Sequence, residues 1–133
     1  MDIEELIDNF EFLDSWEDKY SYIIEMGKHL EPLDERYRTE EWKVRGCQSQ
    51  VWLEPQIIDG KLHFKGDSDA IIVKGLIAIV LIIYSDKSSQ TIKEIEVEKI
   101  FAKLGLQEHL SPSRRNGLFS LVEKIKYYAA TLS

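Results

Sequence analysis

One cysteine, three prolines and seven glycines occur among the 133 residues. A single cysteine rules out an intrachain disulfide and suits a reducing compartment. Few prolines and glycines leave no place for a low-complexity linker, and no internal repeat breaks the chain. Residues 1–10 carry four acids and no Lys or Arg, where a secretory signal would need a basic start and a transit peptide would be rich in Arg. The longest apolar run, 70–84, is interrupted by Lys74 and falls short of the ~20 residues that cross a bilayer. Positive charge is also in deficit: 17 Lys and Arg against 24 Asp and Glu leave a formal net charge of −7. Such a balance argues against nucleic acid or an anionic membrane as the main partner, since both call for cationic neutralisation. A cytoplasmic location is the expectation.

What is present fits an ordinary globular protein: 44% hydrophobic and 31% charged residues. The length suits one domain over residues 1–133, large enough for a core without covalent staples. Ile3, Leu6, Ile7 and Phe10 follow helical spacing. Ser15 is a candidate cap for a second helix with its stripe at Trp16, Tyr20, Ile23, Ile24 and Gly27. Residues 31–45 are polar, with no sustained period, and read as a long surface connection. Residues 51–58, then Asp59-Gly60, then the alternating 61–65 predict a β-hairpin with a type I′ turn, closed by Gly66. Pro55 lacks a donor and marks its strand as an edge or a bulge.

Asp67, Ser68 and Asp69 offer caps for the segment 70–84, which is apolar nearly all round. Its Ile and Val content would suit a buried strand, but length and capping favour a central buried helix. Thr91 and Glu94 have capping-box spacing. A helix over 97–104 should stop at Gly105, and Ser111-Pro112 should open the last helix. Leu118, Leu121, Val122, Ile125, Ala129 and Leu132 form that helix's apolar stripe.

Cys47 is the strongest nucleophile candidate. A lone Cys is more often a small buried hydrophobe, but this one lies off any apolar stripe, in Arg45-Gly46-Cys47-Gln48-Ser49-Gln50, just before a strand. Gly46 permits a tight backbone there. Lys43 and Arg45 are placed to favour the thiolate by charge, and the amides and side chains of Gln48, Ser49 and Gln50 to hydrogen-bond a sulfur anion. The histidines at 29, 63 and 109 are scattered and show no metal-ligand spacing, so no metal site is expected. Trp42 and Trp52 flank the cysteine segment, as core anchors or as parts of an interface.

The segment from Gly46 to Leu53, reading GCQSQVWL, resembles the SufE family. Three further blocks agree in order: WEDKY from Trp16 with IIEMG from Ile23; GDSDA from Gly66 with IVKGL from Ile72; and HLSPSR from His109 with NGL from Asn116. The family pattern is departed from at Trp42 and Ile92, where Asn and Pro are common. The resemblance implies an α+β fold, with a small antiparallel sheet packed by several helices and similar to IscU-type scaffolds. A third strand would come from residues before Cys47 or from the end of that region.

The resemblance also implies a role. A pyridoxal-phosphate cysteine desulfurase, SufS- or CsdA-like, would pass persulfide sulfur to Cys47, for delivery to a SufB-like iron–sulfur scaffold complex. Gly46, Gln48, Ser49 and Gln50 would shape the cysteine loop, and Asp69, His109 and Arg114 would support it or touch the partner. No cofactor is expected on this chain, which would act as a monomer or homodimer. Members of the family often shield the cysteine in an apolar pocket. The rival readings are an allosteric activator of a desulfurase, a sulfur donor to a different acceptor, an iron–sulfur scaffold and a thiol redox protein. A lone thiol disfavours the last two.

Overall fold

The computed structural model describes residues 1–132. Helix α1 (Ile3–Phe12) begins where Asp2 accepts the Glu5 N–H, and α2 (Trp16–Gly27) where Ser15 accepts the Asp18 N–H. Each cap supplies an acceptor to an amide that the helix cannot satisfy itself, a contribution of about 1 kcal/mol. The connection that follows is not featureless. Two short 3-10 turns, Glu35–Tyr37 and Glu40–Trp42, fold it against the sheet, and it buries Leu33 and Val44.

Strands β1 (Val51–Ile58) and β2 (Lys61–Ser68) pair antiparallel, from Val51 opposite Ser68 to Ile58 opposite Lys61. Asp59 and Gly60 take φ of 52° and 76°, the two positive values that a type I′ turn requires. The second strand does not close at Gly66; it runs on to Ser68, which lengthens the sheet toward the cysteine segment. The expected third strand shrinks to a single bridge, Lys43 opposite Trp52, with the Val44 N–H on the Val51 carbonyl at 2.8 Å. That bond turns the backbone groups of Val51 outward. Pro55 shares this parity, so its missing N–H falls on the outer edge and costs no bond to β2.

Helix α3 (Ile71–Tyr84) is the central element, with Ile72, Gly75, Leu76, Ile77, Ile79, Val80, Ile83 and Tyr84 all buried. Its start differs from expectation. Ala70 occupies the cap position and no side chain caps it, because Asp67 and Asp69 are engaged elsewhere and Ser68 Oγ accepts the Ala70 N–H instead. Helix α2 crosses α3 at two glycines. A Cβ on Gly75 would stand 2.1 Å from the Ile23 carbonyl oxygen, and one on Gly27 2.6 Å from the Gly75 nitrogen.

Beyond α3, α4 (Ser89–Glu94) starts earlier than the Thr91–Glu94 spacing predicts. Ser88 is the cap and accepts the Thr91 N–H, while Glu94 accepts from Gln90. Helix α5 (Val97–Leu104) ends at Gly105, whose φ of 72° is the left-handed stop. A four-residue helix α6 (Leu106–His109) precedes α7 (Pro112–Leu132). Leu118, Leu121, Val122, Ile125 and Ala129 of α7 are buried, whereas Leu132 is exposed at its end. The architecture is α+β, a two-stranded sheet with seven helices among the described residues, as the sequence implies. No helix among the described residues is long and apolar enough to cross a membrane.

Candidate functional site

Cys47 lies in the segment between the Lys43–Trp52 bridge and β1, half-buried against α7. Two glycines make that contact. Gly46 has φ of 93°, which side chains rarely adopt, and a Cβ on it would stand 2.5 Å from Ser120 Oγ. Gly117 faces the cysteine itself: a Cβ there would only touch it, 3.4 Å from Cys47 Sγ and 3.8 Å from its Cα. Ser113, Gly117 and Ser120, spaced four and three apart, put small side chains on one face of α7. This spacing is present in the sequence and marks the face that receives the loop.

The thiol donates to the Gly117 carbonyl at 3.6 Å. It opens on a cavity of about 110 Å³ lined by Gln48, Ser49, Val51, Val73, Leu76, Ile77, Ser113, Arg114, Leu118 and Leu121. Two walls are thus apolar, from α3 and α7, and the rim is polar. Burial pushes the Cys47 thiol above its ordinary value. Here the structure corrects an expectation. Lys43 and Arg45 do not lower the thiol. Both turn to Glu40, at 3.6 and 3.8 Å.

The remaining candidates separate. Gln48 and Ser49 line the cavity. Gln50 faces the other way: its N–H donates to Asp69 Oδ1 at 3.0 Å and its carbonyl accepts the Asp69 N–H at 3.4 Å. Asp69 thereby pins the end of the cysteine loop to the junction of β2 and α3, and the Gln50 amide is committed away from sulfur. Arg114 is exposed at the cavity and forms no ion pair among the described residues. His109 is absent from this group; it stacks on Trp16, centroids 4.5 Å apart and planes within 14°. Neither Trp42 nor Trp52 lines the cavity. Trp42 packs edge-on against Tyr37 and Trp52 lies buried beneath Arg38.

A further polar centre lies next to the loop anchor and reads in the sequence only as capping material. Asp67 is buried, paired with Arg38 and with Lys74 at 3.5 Å, and accepts the Ser68 N–H at 2.8 Å. No simple spacing links Arg38 to Asp67. No group of three or more His, Cys, Asp or Glu among the described residues is placed to hold a metal ion.

Comparison with known proteins places this geometry. Residues 4–129 match SufE, described as an Fe-S metabolism associated domain. An uncharacterized SufE-like protein of Rhizobium meliloti is 51% identical over 128 residues, covering 93% of this chain and 91% of its own. Another, from Rhizobium etli, is 49% identical over 130 residues, covering 93% and 86%. The solution structure of a hypothetical protein from Thermus thermophilus superposes with a TM-score of 0.78 over 96% of this chain and 93% of that one; at 18% identity it shares the fold alone. With nearly its whole length matched and about half its residues shared with proteins named for that family, the chain belongs to the SufE family and has a role in Fe–S metabolism.

Proposed function

We propose that this protein is a sulfur acceptor: Cys47 takes persulfide sulfur from a pyridoxal-phosphate cysteine desulfurase and delivers it for iron–sulfur cluster assembly. The observation that carries the reading is the single thiol on a glycine-hinged loop, facing a small, mostly apolar cavity with room for one more sulfur.

The chemistry is redox-neutral exchange. The Cys47 thiolate attacks the outer sulfur of the partner's persulfide. A new S–S bond forms on Cys47, the partner's S–S bond breaks, and the partner's cysteine leaves as a thiolate. Overall, the proton given up by Cys47 goes to that leaving thiolate. No second thiol is present in the chain to resolve the new persulfide as a disulfide.

The resting pose explains how the sulfur is kept quiet. In the cavity the group is a thiol that donates to the Gly117 carbonyl. A thiolate in the same place would face a carbonyl oxygen in apolar surroundings, two acceptors with no proton between them. Deprotonation therefore favours movement of the loop outward, about Gly46, toward a docked partner. Arg114, exposed at the cavity and without an ion pair among the described residues, offers a cation to the persulfide anion.

The test is intact-mass spectrometry after incubation with a cysteine desulfurase, pyridoxal phosphate and L-cysteine, with the wild type beside Cys47→Ser. The expected result is a reducible gain of one or more sulfur atoms on the wild type alone, with faster desulfurase turnover. No gain, with turnover stimulated equally by Cys47→Ser, would replace the carrier by an allosteric activator. Supplying the loaded protein to an iron–sulfur scaffold complex then separates cluster assembly from a different sulfur acceptor.

A further inference from the structure

At the other end of α3 from the cysteine loop, His63 on β2 sits between two carboxylates. Its Nδ1 is 2.6 Å from Asp86 Oδ1 and its Nε2 is 2.7 Å from Glu31 Oε1. A carboxylate can only accept when ionised. For both contacts to be hydrogen bonds, both ring nitrogens must carry protons, which is the imidazolium. The nitrogens point in opposite directions, so one metal ion cannot bridge the same three groups. From this geometry we infer that His63 is a cationic clamp, one ring joining the turn after α2, strand β2 and the turn after α3, and that the clamp opens as pH rises.

His63 adds to contacts that already join these segments. Glu31 is in the chain that leaves α2, and beyond His63 it pairs with Lys65 at 4.0 Å. Asp86 is in a turn with φ of 62°, a left-handed position that Asp tolerates. That turn is zipped to β2 on both sides of His63: the Asp86 N–H donates to the Leu62 carbonyl at 2.7 Å, the Leu62 N–H to the Lys87 carbonyl at 2.8 Å, and the Phe64 N–H to Ser85 Oγ at 3.0 Å. His63 is the charged centre of this zipper.

The other charged groups around it do not supply a substitute cation. Lys87 directs its ammonium to the carbonyls of Ile82 and Ser85, at 3.4 Å each. Asp2 and His29 line the same cleft. Burial of His63 works to lower its pKa, but the hydrogen bonds and charges of Asp86 and then Glu31 outweigh it and the net shift is upward. A folded value above the unfolded one sets the sign. The stabilisation is complete below the ordinary imidazole value of about 6.5 and is lost as pH rises through the folded value. Above it, one nitrogen becomes an acceptor facing a carboxylate, and one of the two contacts must break.

The inference is independent of sulfur transfer. It is tested on the full chain by titrating the ¹⁵N signals of the His63 ring, with Glu31→Gln and Asp86→Asn as variants. The expected result is both nitrogens protonated at about pH 6, a midpoint above the ordinary value of about 6.5, and a downward shift in each variant. Amide exchange of Leu62 and Asp86, corrected for intrinsic rate, should speed up through the same midpoint in the wild type. A neutral ring with one bare nitrogen at that pH, or a midpoint that neither variant moves, would overturn the clamp. Both variants keep the histidine and near-isosteric side chains, so the outcome does not depend on a misfolded His63 mutant.

Discussion

At the scale of single residues, Cys47 is held by shape more than by charge. Gly46 removes the Cβ that would keep the loop off Ser120 of α7, and the polar contact of the sulfur is to a carbonyl. Burial raises the thiol pKa, so the folded protein carries less thiolate at neutral pH than an unfolded chain does. Since the thiolate is the species that alkylates, iodoacetamide should label the native protein more slowly than the urea-unfolded protein at about pH 7.5, and the native rate should climb with pH past the ordinary thiol range near 8.5. Gly46→Ala should reverse this protection. The new methyl meets Ser120 at 2.5 Å and must adopt a positive φ, a strain of about 1–2 kcal/mol. The loop should lift, labelling should quicken several-fold, and the urea midpoint should fall modestly. Unchanged labelling in that variant would mean that the loop does not depend on this contact.

At the scale of elements, what could be read from sequence was what is local. The Asp59-Gly60 turn, the Ser15 cap, the Gly105 stop and the Pro112 start each follow from one or two residues whose backbone preferences permit little else. The readings that failed involve competition between neighbours. Thr91 has the right spacing to Glu94, but Ser88 takes the cap because the helix gains further residues by starting there. Asp67 and Asp69 look like helix caps and are instead spent on Arg38, Lys74 and the Gln50 amide. The crossing of α2 on α3 is intermediate. Gly27 ends an apolar stripe in the sequence, yet only the structure shows it meeting Gly75.

That crossing carries the prediction for this scale. Gly75→Ala forces a methyl to 2.1 Å from the Ile23 carbonyl, where backbone and not a side-chain tip must yield. Overpacking of this kind costs about 1–3 kcal/mol, and the rigid neighbour places it at the upper end. Gly60→Ala has nothing within 4 Å and only the strain of its φ of 76°, about 1 kcal/mol. Urea unfolding of the two variants should rank Gly75→Ala well below Gly60→Ala. The opposite order would show that the two helices slide apart easily.

At the scale of the whole molecule, one carboxylate ties together several of the elements around the cysteine loop. Asp67 on β2 receives Arg38 from the connection after α2 and Lys74 from α3, while Arg38 lies over Trp52 of β1. Two residues on, Asp69 holds the end of the cysteine loop. The cysteine itself was conspicuous in the sequence as the only one. Its support was not, because Arg38 and Asp67 are 29 residues apart with no periodicity between them. Asp67→Ala leaves two cations without their acid and the Ser68 amide without its acceptor. Arg38 and Lys74 are each more than a third exposed, at 37% and 39%, so water recovers much of that loss. The net destabilisation should be about 1–3 kcal/mol, above the range of surface pairs and below that of fully buried ones. Asp67→Asn, which keeps an acceptor for the Ser68 amide, should lose less. A double-mutant cycle of Asp67→Ala with Arg38→Ala should give a clear coupling energy, since the partners are in direct contact. If Asp67 also steadies the loop through Asp69, iodoacetamide labelling of Cys47 should quicken in Asp67→Ala under conditions where the protein remains folded. Lost stability without faster labelling would confine Asp67 to the core and leave the Asp69–Gln50 pair to hold the loop alone.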